Sequence, residues 1–214
     1  MGKDKGKAMA DSSSGSIRIR VAEVSDAEAI LSLYYDLIDR MTESPYRPTW
    51  EKNVYPTIDD IRNAAAAGTL YVAEAFDENE SAGGSGNTEG SVSAANRAAG
   101  KPAVAGAVVC NRTQGPGYEQ IPWAMDVPDD KVGVIHLLAV DPLRHRSGVA
   151  TKLLERASAD SRAAGLSVLR LDTLPYNMPG RRLYESVGFE WRGDIPLFYP
   201  CCGEIPFSLY EKRL

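Results

Sequence analysis

The sequence predicts a single α/β or α+β domain built on a mixed sheet that is flanked by helices. Strand-like and helix-like segments alternate along most of the chain, and two strand-like segments near its end indicate a closing hairpin. A length of 214 residues is enough for one well-buried core, and 43% hydrophobic with 25% charged residues is typical of an ordinary globular protein. The net charge of −5 argues against a nucleic-acid partner, which would need a broad basic face.

The N-terminal residues predict a tail, a strand and a helix. Residues 1–15 are rich in Lys, Ser and Gly, so they are predicted to be a disordered tail. Apolar and charged residues alternate over 17–21, which predicts a half-buried first strand. Ser25 and Glu28 have the spacing of a capping box, and apolar residues then recur at helical spacing. A first helix is therefore predicted over 26–42.

The next elements are predicted from turn residues and caps. Prolines in the segment 44–56 exclude a regular helix there. Thr57 as a cap, with Asp60 three positions later, predicts a short helix over 57–66. An apolar run over 70–76 predicts the second strand.

A low-complexity insertion follows. Residues 77–101 consist mainly of Gly, Ser, Ala, Asn and Glu, which predicts a flexible loop inserted between two strands. A domain boundary is the alternative, but the residues before it contain only one or two predicted strands, too few for a separate core. Residues 103–110 then predict a third strand, and the glycines and prolines of 111–131 predict a loop.

The centre of the chain predicts an anion site. A strand over 134–140 ends before Pro142 and is followed by a basic turn at 144–146. The small residues of 147–150 then begin an amphipathic helix that ends at Gly165. Free N–H groups and the positive end of the helix dipole suit a phosphate. The alternative is an ordinary strand-to-helix connection with a cluster of surface charge.

The remaining residues complete the predicted sheet. Residues 166–173 predict a strand, and a short helix then runs to about Val187, with Gly188 after its last turn. Residues 189–193 and 207–212 predict two closing strands.

The cysteines and the apolar runs predict the compartment. Cys110, Cys201 and Cys202 are an odd number without metal-ligand spacing, so we expect reduced thiols, a cytoplasmic location and no bound metal. The sequence contains no run of about eighteen apolar residues, so no membrane span is expected. The N-terminus lacks the apolar core of a signal peptide.

Two motifs resemble those of the GNAT superfamily of N-acetyltransferases. The first, Q/R-x-x-G-x-G/A after a strand, binds acetyl-CoA in that family and falls here on 145–150. His145 replaces the usual Gln or Arg, and Arg146 stands where many members have glycine. The second motif, L-D-T followed by N and L-Y-E-x-x-G-F, runs from Leu171 to Phe189. The two motifs in this order are far more specific than either alone.

The resemblance implies the fold and the acyl donor. It predicts one acetyltransferase domain over 16–214, with a mostly antiparallel sheet and a V-shaped splay between its two central strands. Acetyl-CoA would lie in that splay, its pantetheine arm against the first of these strands and its pyrophosphate at the following helix. The implied cofactor-binding residues are Leu138, Ala139, Val140, Arg144, His145, Arg146, Ser147, Gly148, Val149, Ala150 and Asn177.

Catalytic roles follow from the same resemblance. Tyr184 would be the general acid, since a phenol with a pKa of about 10 stays protonated at neutral pH. A packing role is the alternative, and helical spacing places Leu183 and Val187 in the core with Tyr184 at the margin. The base is open, with His136, Glu119 and Asp126 as candidates. A core histidine is the alternative for the first, and an amine can also lose its proton to solvent.

The acceptor is the least determined part. The resemblance makes the segment 44–56, with Trp50, one wall of the acceptor site, although Trp50 could equally close the core edge. We expect direct attack by a small-molecule or peptide amine on acetyl-CoA in a ternary complex, in a monomer or homodimer without nucleic-acid or membrane partners. The alternative is a non-catalytic acyl-CoA sensor or partner-binding module on the same fold.

Overall fold

A computed structural model of the chain describes residues 16–76, 102–199 and 203–214, in which seven strands form one sheet. The predicted tail 1–15, the predicted loop 77–101 and the cysteines at 201–202 lie outside the described residues. The strands are β1 (Ser16–Val21), β2 (Leu70–Phe76), β3 (Ala103–Asn111), β4 (Val132–Val140), β5 (Val168–Thr173), β6 (Glu190–Tyr199) and β7 (Gly203–Arg213). The helices are α1 (Ala27–Met41), α2 (Ile58–Ala66), α3 (Val149–Ala163) and α4 (Met178–Ser186).

The strand order confirms the predicted mixed, mostly antiparallel sheet. The order is β1-β2-β3-β4-β5-β7-β6, and every neighbouring pair is antiparallel except β4 and β5. Those two parallel strands pair only at Val132 with Val168, Gly133 with Leu169 and Val134 with Arg170. Beyond these pairs β4 continues to Val140 and β5 to Thr173 without pairing to each other. The sheet therefore opens into the predicted splay at its centre.

The first two helices lie where they were predicted, but one cap differs. The capping box expected from Ser25 and Glu28 does not form. Instead, the Asp26 carboxylate accepts the backbone N–H of Glu23 at 2.7 Å, within a short 3₁₀ turn that precedes α1. In α2, Thr57 Oγ1 accepts the N–H of Asp60 as expected.

The closing hairpin is longer than predicted. We predicted closing strands over 189–193 and 207–212, whereas β6 has 10 residues and β7 has 11, and both contain a proline, which removes a ladder donor. In the structure Pro196 and Pro206 face each other in the register between β6 and β7. Both lie beyond Ser208, the last residue of β7 that pairs with β5, so the hairpin is two-stranded there and tolerates them.

Helices and a loop cover the two faces of the sheet. Alternate β2 residues belong to different apolar clusters, Tyr71 and Ala73 to one and Leu70 and Val72 to the other, so these clusters occupy opposite faces. Helices α3 and α4 cover the first face, while α1 and α2 cover the second, where the loop over 112–131 also packs. We call these faces the α3 face and the α1 face.

Within residues 16–76, 102–199 and 203–214, no helix combines the length and the apolar character needed to cross a bilayer. The same residues contain no group of three or more His, Cys, Asp or Glu side chains arranged to hold a metal ion.

Candidate functional site

A bulge in β4 lies where the sheet opens. Ala107 of β3 pairs with Ala139, and Val109 pairs with His136, so the two residues 137 and 138 stand opposite one residue of β3. Leu137 adopts a left-handed conformation with φ of 52°, which is uncommon for a residue with a β-carbon. A bulge re-aims the backbone of its strand. Here it turns the peptide groups around Leu138 relative to the regular ladder.

Tyr34 of α1 holds this bulge from the α1 face. Its ring is fully buried, and its hydroxyl donates a hydrogen bond of 2.6 Å to the carbonyl oxygen of Leu137. Burial raises the pKa of Tyr34 far above its ordinary value, so the hydroxyl remains a donor at any physiological pH. The edge of Trp50 packs on this ring at a centroid distance of 5.4 Å. The bulge thus has a dedicated, water-shielded hydrogen-bond donor.

The segment between α1 and α2 reaches across the splay. Trp50 packs on Tyr34 as described, so it lies at the edge of the α1 core. The hydroxyl of Tyr176, which follows β5, donates to the carbonyl of Arg47 at 3.3 Å. This segment therefore contacts chain on both sides of the opening between β4 and β5, where the sequence predicted an acceptor wall.

The loop after β4 leaves backbone donors open. The side chain of Asp141 accepts the N–H of Leu143 at 2.9 Å, which stabilises a 3₁₀ turn before the loop. In the first turn of α3, the N–H groups of Val149, Ala150 and Thr151 have no acceptor among the described residues. Gly148 caps this helix at φ of 77°, and a β-carbon on it would meet nothing within 4 Å. These features form an open cradle for an anion.

The unusual Arg146 adopts a glycine-like backbone. Its φ is 65°, in the left-handed region where a side chain costs about 1 kcal/mol or more. This conformation gives a physical reason why glycine is common at this position in the motif. The loop thus keeps the shape of the motif, and the arginine adds an exposed positive charge to its surface.

Gly106 of β3 permits the close approach of α3. A β-carbon at this position would lie 2.9 Å from both the carbonyl oxygen of Ala139 and Cγ1 of Val149. Both neighbours are buried, so a larger residue would push the helix start away from β4. The alternating small residues of β3 predicted a strand, but nothing in them indicated this role.

Tyr184 lies on the α3 face of the splay. It is the buried residue of α4, and its ring packs on Phe189 and Tyr210 at centroid distances of 6.1 and 6.0 Å. Burial, together with the Asp172 carboxylate, raises the pKa of Tyr184 above its ordinary value. No described residue accepts a hydrogen bond from its hydroxyl. The phenol is therefore protonated and available as a donor.

The expected environment of Tyr184 was wrong in one respect. We predicted that Leu183 and Val187 would face the core with Tyr184 at its margin. Leu183 and Val187 do pack against the core, although they are partly exposed, but Tyr184 is itself a buried core residue. The reason lies in the tertiary packing, since Arg181 one turn earlier donates to the Tyr210 hydroxyl at 2.9 Å and turns that side of the short helix toward β7.

Asn177 caps α4. Its Oδ1 accepts the N–H of Gly180 at 3.1 Å, and its Nδ2 donates to Oγ1 of Thr173 at 3.0 Å. The capping role that the sequence offered is therefore present. The side chain is also fixed beside the end of β5, at the edge of the splay.

His136 of β4 has a defined tautomer. Its Nε2 lies 3.1 Å from Oδ1 of Asn111 and 3.0 Å from the carbonyl oxygen of Thr113. The N–H of Thr113 donates to the same Asn111 oxygen at 2.8 Å, which identifies that atom as the oxygen of the amide. Two acceptors around Nε2 require it to carry the proton, so Nδ1 keeps its lone pair. Burial lowers the pKa of His136, opposed by the Asp172 carboxylate, so the ring is neutral near pH 7.

Asp172 of β5 lies on the same face. It accepts a hydrogen bond of 2.8 Å from the hydroxyl of Tyr118, which the loop over 112–131 places above the splay. Tyr118 is itself buried, and its carbonyl accepts Nε1 of Trp123 at 2.8 Å. By contrast, the next residue, Glu119, is exposed and makes no hydrogen bond or ion pair with any described residue. The structure therefore brings His136, Asp172 and Tyr118 together and leaves Glu119 on the surface.

A buried ion network anchors the loop over 112–131. Glu211 of β7 is 2% exposed and accepts the N–H groups of Ala124 and Met125 at 3.0 and 3.1 Å. It also accepts Nε of Arg170 at 3.2 Å, and the Arg170 guanidinium stacks on Trp123 at 4.2 Å from the ring centroid. A cavity of about 320 Å³ lies between Arg170 and this part of the loop. The position of Tyr118 thus depends on charges buried in β5 and β7.

Sequence reasoning missed the roles of Tyr34 and Asp172 in this site. Tyr34 carried only the helical periodicity of α1. Residues 118–123, by contrast, loosely resemble a segment near the acceptor pocket of some bacterial members of the family. Asp172 was identified only as part of the second motif, without a role of its own. For Asp172 the available signal was its position one residue before the end of a strand, which becomes informative only when the parallel pairing with β4 is known.

Comparisons with known proteins agree with this geometry. Residues 35–189 match the sequence pattern of the Acetyltransferase (GNAT) family. The IAA acetyltransferase of Azospirillum brasilense is 33% identical over 81 residues, which cover 38% of this chain and 50% of that protein. The match therefore spans only about half the length of that curated relative.

Solved structures share the fold. A GNAT-family acetyltransferase of Listeria monocytogenes superposes with a TM-score of 0.62 at 20% identity, covering 92% of this chain and 95% of that one. A protein of Salmonella typhimurium, solved with acetyl-CoA, superposes with a TM-score of 0.59 at 16% identity, covering 92% and 94% of the two chains. At these identities the likeness concerns the fold alone.

Proposed function

Because this chain belongs to the GNAT family of acetyltransferases, whose acyl donor is acetyl-CoA, we propose that it transfers the acetyl group directly to an amine in a ternary complex. The observation that carries the proposal is the splay of β4 and β5, which has a neutral histidine on its α1 face and a protonated phenol on its α3 face. A non-catalytic sensor would need the open backbone donors but not this pair of proton-transfer groups.

The chain's own groups suit the acyl donor. Past Val134, β4 presents an edge that β5 does not pair, and Leu138, Ala139 and Val140 would contact the pantetheine arm there. The bulge would aim a backbone N–H, that of Leu138 or Ala139, at the thioester oxygen, where negative charge develops. Asn177, fixed beside the end of β5, is close to the same channel.

The pyrophosphate would occupy the cradle at the start of α3. The amides of Val149 and Ala150 are open, and Gly148 leaves room for close approach. The side chains of this loop, which surround the cradle, would contact the outer phosphates. They are Arg144, His145, Arg146 and Ser147.

Two side chains would move the protons. Nδ1 of His136 would take a proton from the amine, whose nitrogen forms a bond to the thioester carbon. As the carbon–sulfur bond breaks, the Tyr184 hydroxyl would donate its proton to the departing thiolate. The second hydrogen of the amine stays on the amide product, and the proton that His136 took returns to the phenolate through solvent, which restores both side chains. No covalent intermediate on the enzyme is needed.

The direct test is thiol release from acetyl-CoA across a panel of amines, with the acetylated product identified by mass spectrometry. Turnover of at least one amine supports the enzyme. Tight binding of acetyl-CoA without turnover of any amine would instead support the sensor.

The cradle at Gly148 should be essential for acetyl-CoA binding. Gly148→Glu would place a side chain and a negative charge where we place the pyrophosphate, so affinity should fall by about a hundredfold or more. Acetyl-CoA at a hundred times its Kd should stabilise the wild type by about 2.7 kcal/mol, and the same concentration should barely stabilise the variant. Calorimetric titration and thermal unfolding measure both effects.

Gly68→Glu is the matched control for this variant. Gly68 is also left-handed, with φ of 67°, and a β-carbon there would also meet nothing within 4 Å. Gly68 lies in the turn between α2 and β2, so Gly68→Glu introduces the same charge and backbone strain away from the cradle. Equal loss of binding in both variants would rule out the proposed phosphate position.

Tyr34 should act as a positioning residue. Tyr34→Phe keeps the buried ring but removes the hydrogen-bond donor to the Leu137 carbonyl. The peptide groups of the bulge should then no longer be held in one orientation. We expect kcat to fall by roughly tenfold, with little change in the KM for acetyl-CoA. Removing an oxyanion donor lowers kcat by about 10²–10³-fold, and in this variant the backbone donor is kept but misaligned, so the loss should be smaller. Steady-state kinetics separate the two parameters.

Tyr35→Phe is the control for Tyr34→Phe. The hydroxyl of Tyr35 bonds Asn53 at the surface rather than the bulge. An unchanged kcat in Tyr34→Phe, or an equal fall in Tyr35→Phe, would contradict the positioning role.

A further inference from the structure

We propose that Asn111 is a positioning residue for the base, and that its side chain fixes both the tautomer and the orientation of His136. The inference rests on the proposed function, in which Nδ1 of His136 takes a proton from the amine. Asn111 acts only through the imidazole ring, so changes at this residue should alter the pH dependence of turnover as well as its rate.

The register of β3 and β4 brings the two side chains together. Val109 pairs with His136 and Asn111 pairs with Val134, so Asn111 is the diagonal neighbour of His136 across the two strands. Val109 and Val134 both belong to apolar clusters of the α1 face, which places Asn111 and His136 on that face as well. Val134 is also the last residue of β4 that pairs with β5. At His136, β4 therefore has β3 on one side and the opening of the splay on the other.

One turn at the end of β3 supplies both hydrogen-bond acceptors of the ring. Oδ1 of Asn111 accepts the N–H of Thr113 at 2.8 Å, which is the contact of an Asx turn. The same oxygen lies 3.1 Å from Nε2 of His136, and the carbonyl oxygen of Thr113 lies 3.0 Å from that nitrogen. Loss of the Asn111 side chain would therefore release the second acceptor as well as remove the first.

An amide suits a base better than a carboxylate at this position. Both acceptors are neutral, so they keep the proton on Nε2 without adding a negative charge that would favour the imidazolium. An aspartate at position 111 would orient the ring equally well but would hold it as a cation to higher pH. The neutral side chain thus fixes the tautomer and leaves His136 a free base.

The other groups around the ring have known effects on its charge. Burial lowers the pKa of His136, while the Asp172 carboxylate of β5 opposes this effect. Arg170, two residues earlier on β5, is ion-paired with a buried glutamate at 3.2 Å. The phenols of Tyr34 from α1 and Tyr118 from the loop over 112–131 both donate hydrogen bonds and bring no charge. In this setting a neutral acceptor at position 111 keeps the ring unprotonated near pH 7.

The same contacts serve both protonation states of the ring. When Nδ1 gains a proton, the Nε2–H group keeps its two acceptors, so the ring need not turn between the two states. Hydrogen bonds from an imidazolium are charge-assisted and therefore stronger than those from the neutral ring. Asn111 thus orients the base before the reaction and stabilises the cation that forms as the amine attacks.

The first measurement is the NMR titration of His136 in two variants with opposite expected shifts. Asn111→Asp keeps an acceptor and adds a negative charge beside Nε2, so the titration midpoint should rise by about one pH unit or more. Asn111→Ala removes an acceptor that favours the imidazolium, so the midpoint should fall. The chain has two histidines, so the signals of His136 are identified once those of His145 are assigned.

The second measurement is the pH profile of kcat/KM for one amine, compared between the wild type and the two variants. On its acidic side Asn111→Asp should be about tenfold or more below the wild type, since a midpoint one pH unit higher means tenfold less free base. Above its raised midpoint it should recover most of the wild-type value. Asn111→Ala should stay roughly tenfold below the wild type at every pH, because its ring is a free base that is no longer held in place.

Asn63→Asp and Asn63→Ala are the matched controls. Asn63 is exposed on α2, so these variants make the same changes in charge and side chain away from β4. Both should leave the His136 titration and the pH profile as in the wild type. A residue that only stabilised the fold would lower activity in both Asn111 variants, and no change of pH would restore it.

The inference is wrong if the two Asn111 variants shift the His136 midpoint in the same direction or leave it unchanged. If the midpoints shift as expected but the pH profiles do not follow them, His136 is not the base and the proposed mechanism fails, whereas Asn111 still positions the ring. A wild type that acetylates no amine would contradict the proposed function, and the NMR titrations would still decide the positioning role.

Discussion

Tyr184→Phe should lower kcat by roughly 10²–10⁴-fold, the range typical of a missing general acid. The variant removes one hydroxyl and keeps the ring that packs on Phe189 and Tyr210, so the fold and acetyl-CoA affinity should persist. The wild-type phenol has its pKa raised by burial and by Asp172, so it is protonated at every pH where the assay is practical. Steady-state kinetics near neutral pH, with an amine that the wild type acetylates, measure the effect.

Tyr71→Phe is the control for this loss. Tyr71 is a buried tyrosine of β2 in the same apolar cluster, but it lies away from the splay. Its variant should keep kcat within about twofold, since only packing and a remote polar contact change. If Tyr184→Phe keeps the wild-type kcat, Tyr184 has no acid role and contributes packing only.

Glu211→Ala should lower the free energy of unfolding by about 3–5 kcal/mol, the usual result of removing one partner from a buried ion pair. The side chain is 2% exposed, and its loss leaves the Arg170 guanidinium, 7% exposed, without its carboxylate. The N–H groups of Ala124 and Met125 also lose their acceptor. Urea unfolding followed by circular dichroism measures the change.

Glu190→Ala is the matched control for the network. Glu190 pairs with Arg192, which also approaches Glu211, but Glu190 is 73% exposed and its loss should cost no more than about 1 kcal/mol. The prediction is contradicted if the two variants have equal stability.

The features that the sequence predicted are local ones. The strand, basic turn and helix start around Gly148 are encoded within a few residues, because proline, glycine and hydrophobic spacing act over one or two turns. Thr57 and Asp60 likewise predict the start of α2 from a spacing of three. The second motif located Tyr184 and Asn177, although the burial of Tyr184 depends on β7, which lies far along the chain.

The features that escaped prediction are long-range. The hydrogen bond from Tyr34 to Leu137 joins residues 103 positions apart, and that from Tyr118 to Asp172 joins residues 54 positions apart. Neither partner has a pattern that indicates the other. The sequence also does not predict the bulge at Leu137. An aliphatic run has the same composition whether the strand is regular or contains one unpaired residue.

The short parallel junction also bears on how the protein folds and opens. Strands β1–β4 connect only to neighbours in the sheet, while β5–β7 form a second group, and three residue pairs join the two. Cooperativity between these groups then depends on packing across both faces. On one face Leu153 of α3 shares an apolar cluster with Val108 from one group and Leu171 from the other, and on the opposite face the loop over 112–131 packs with Val134 and Leu209. The two groups are candidates for separate units of partial unfolding, with the seam between them at the catalytic opening itself.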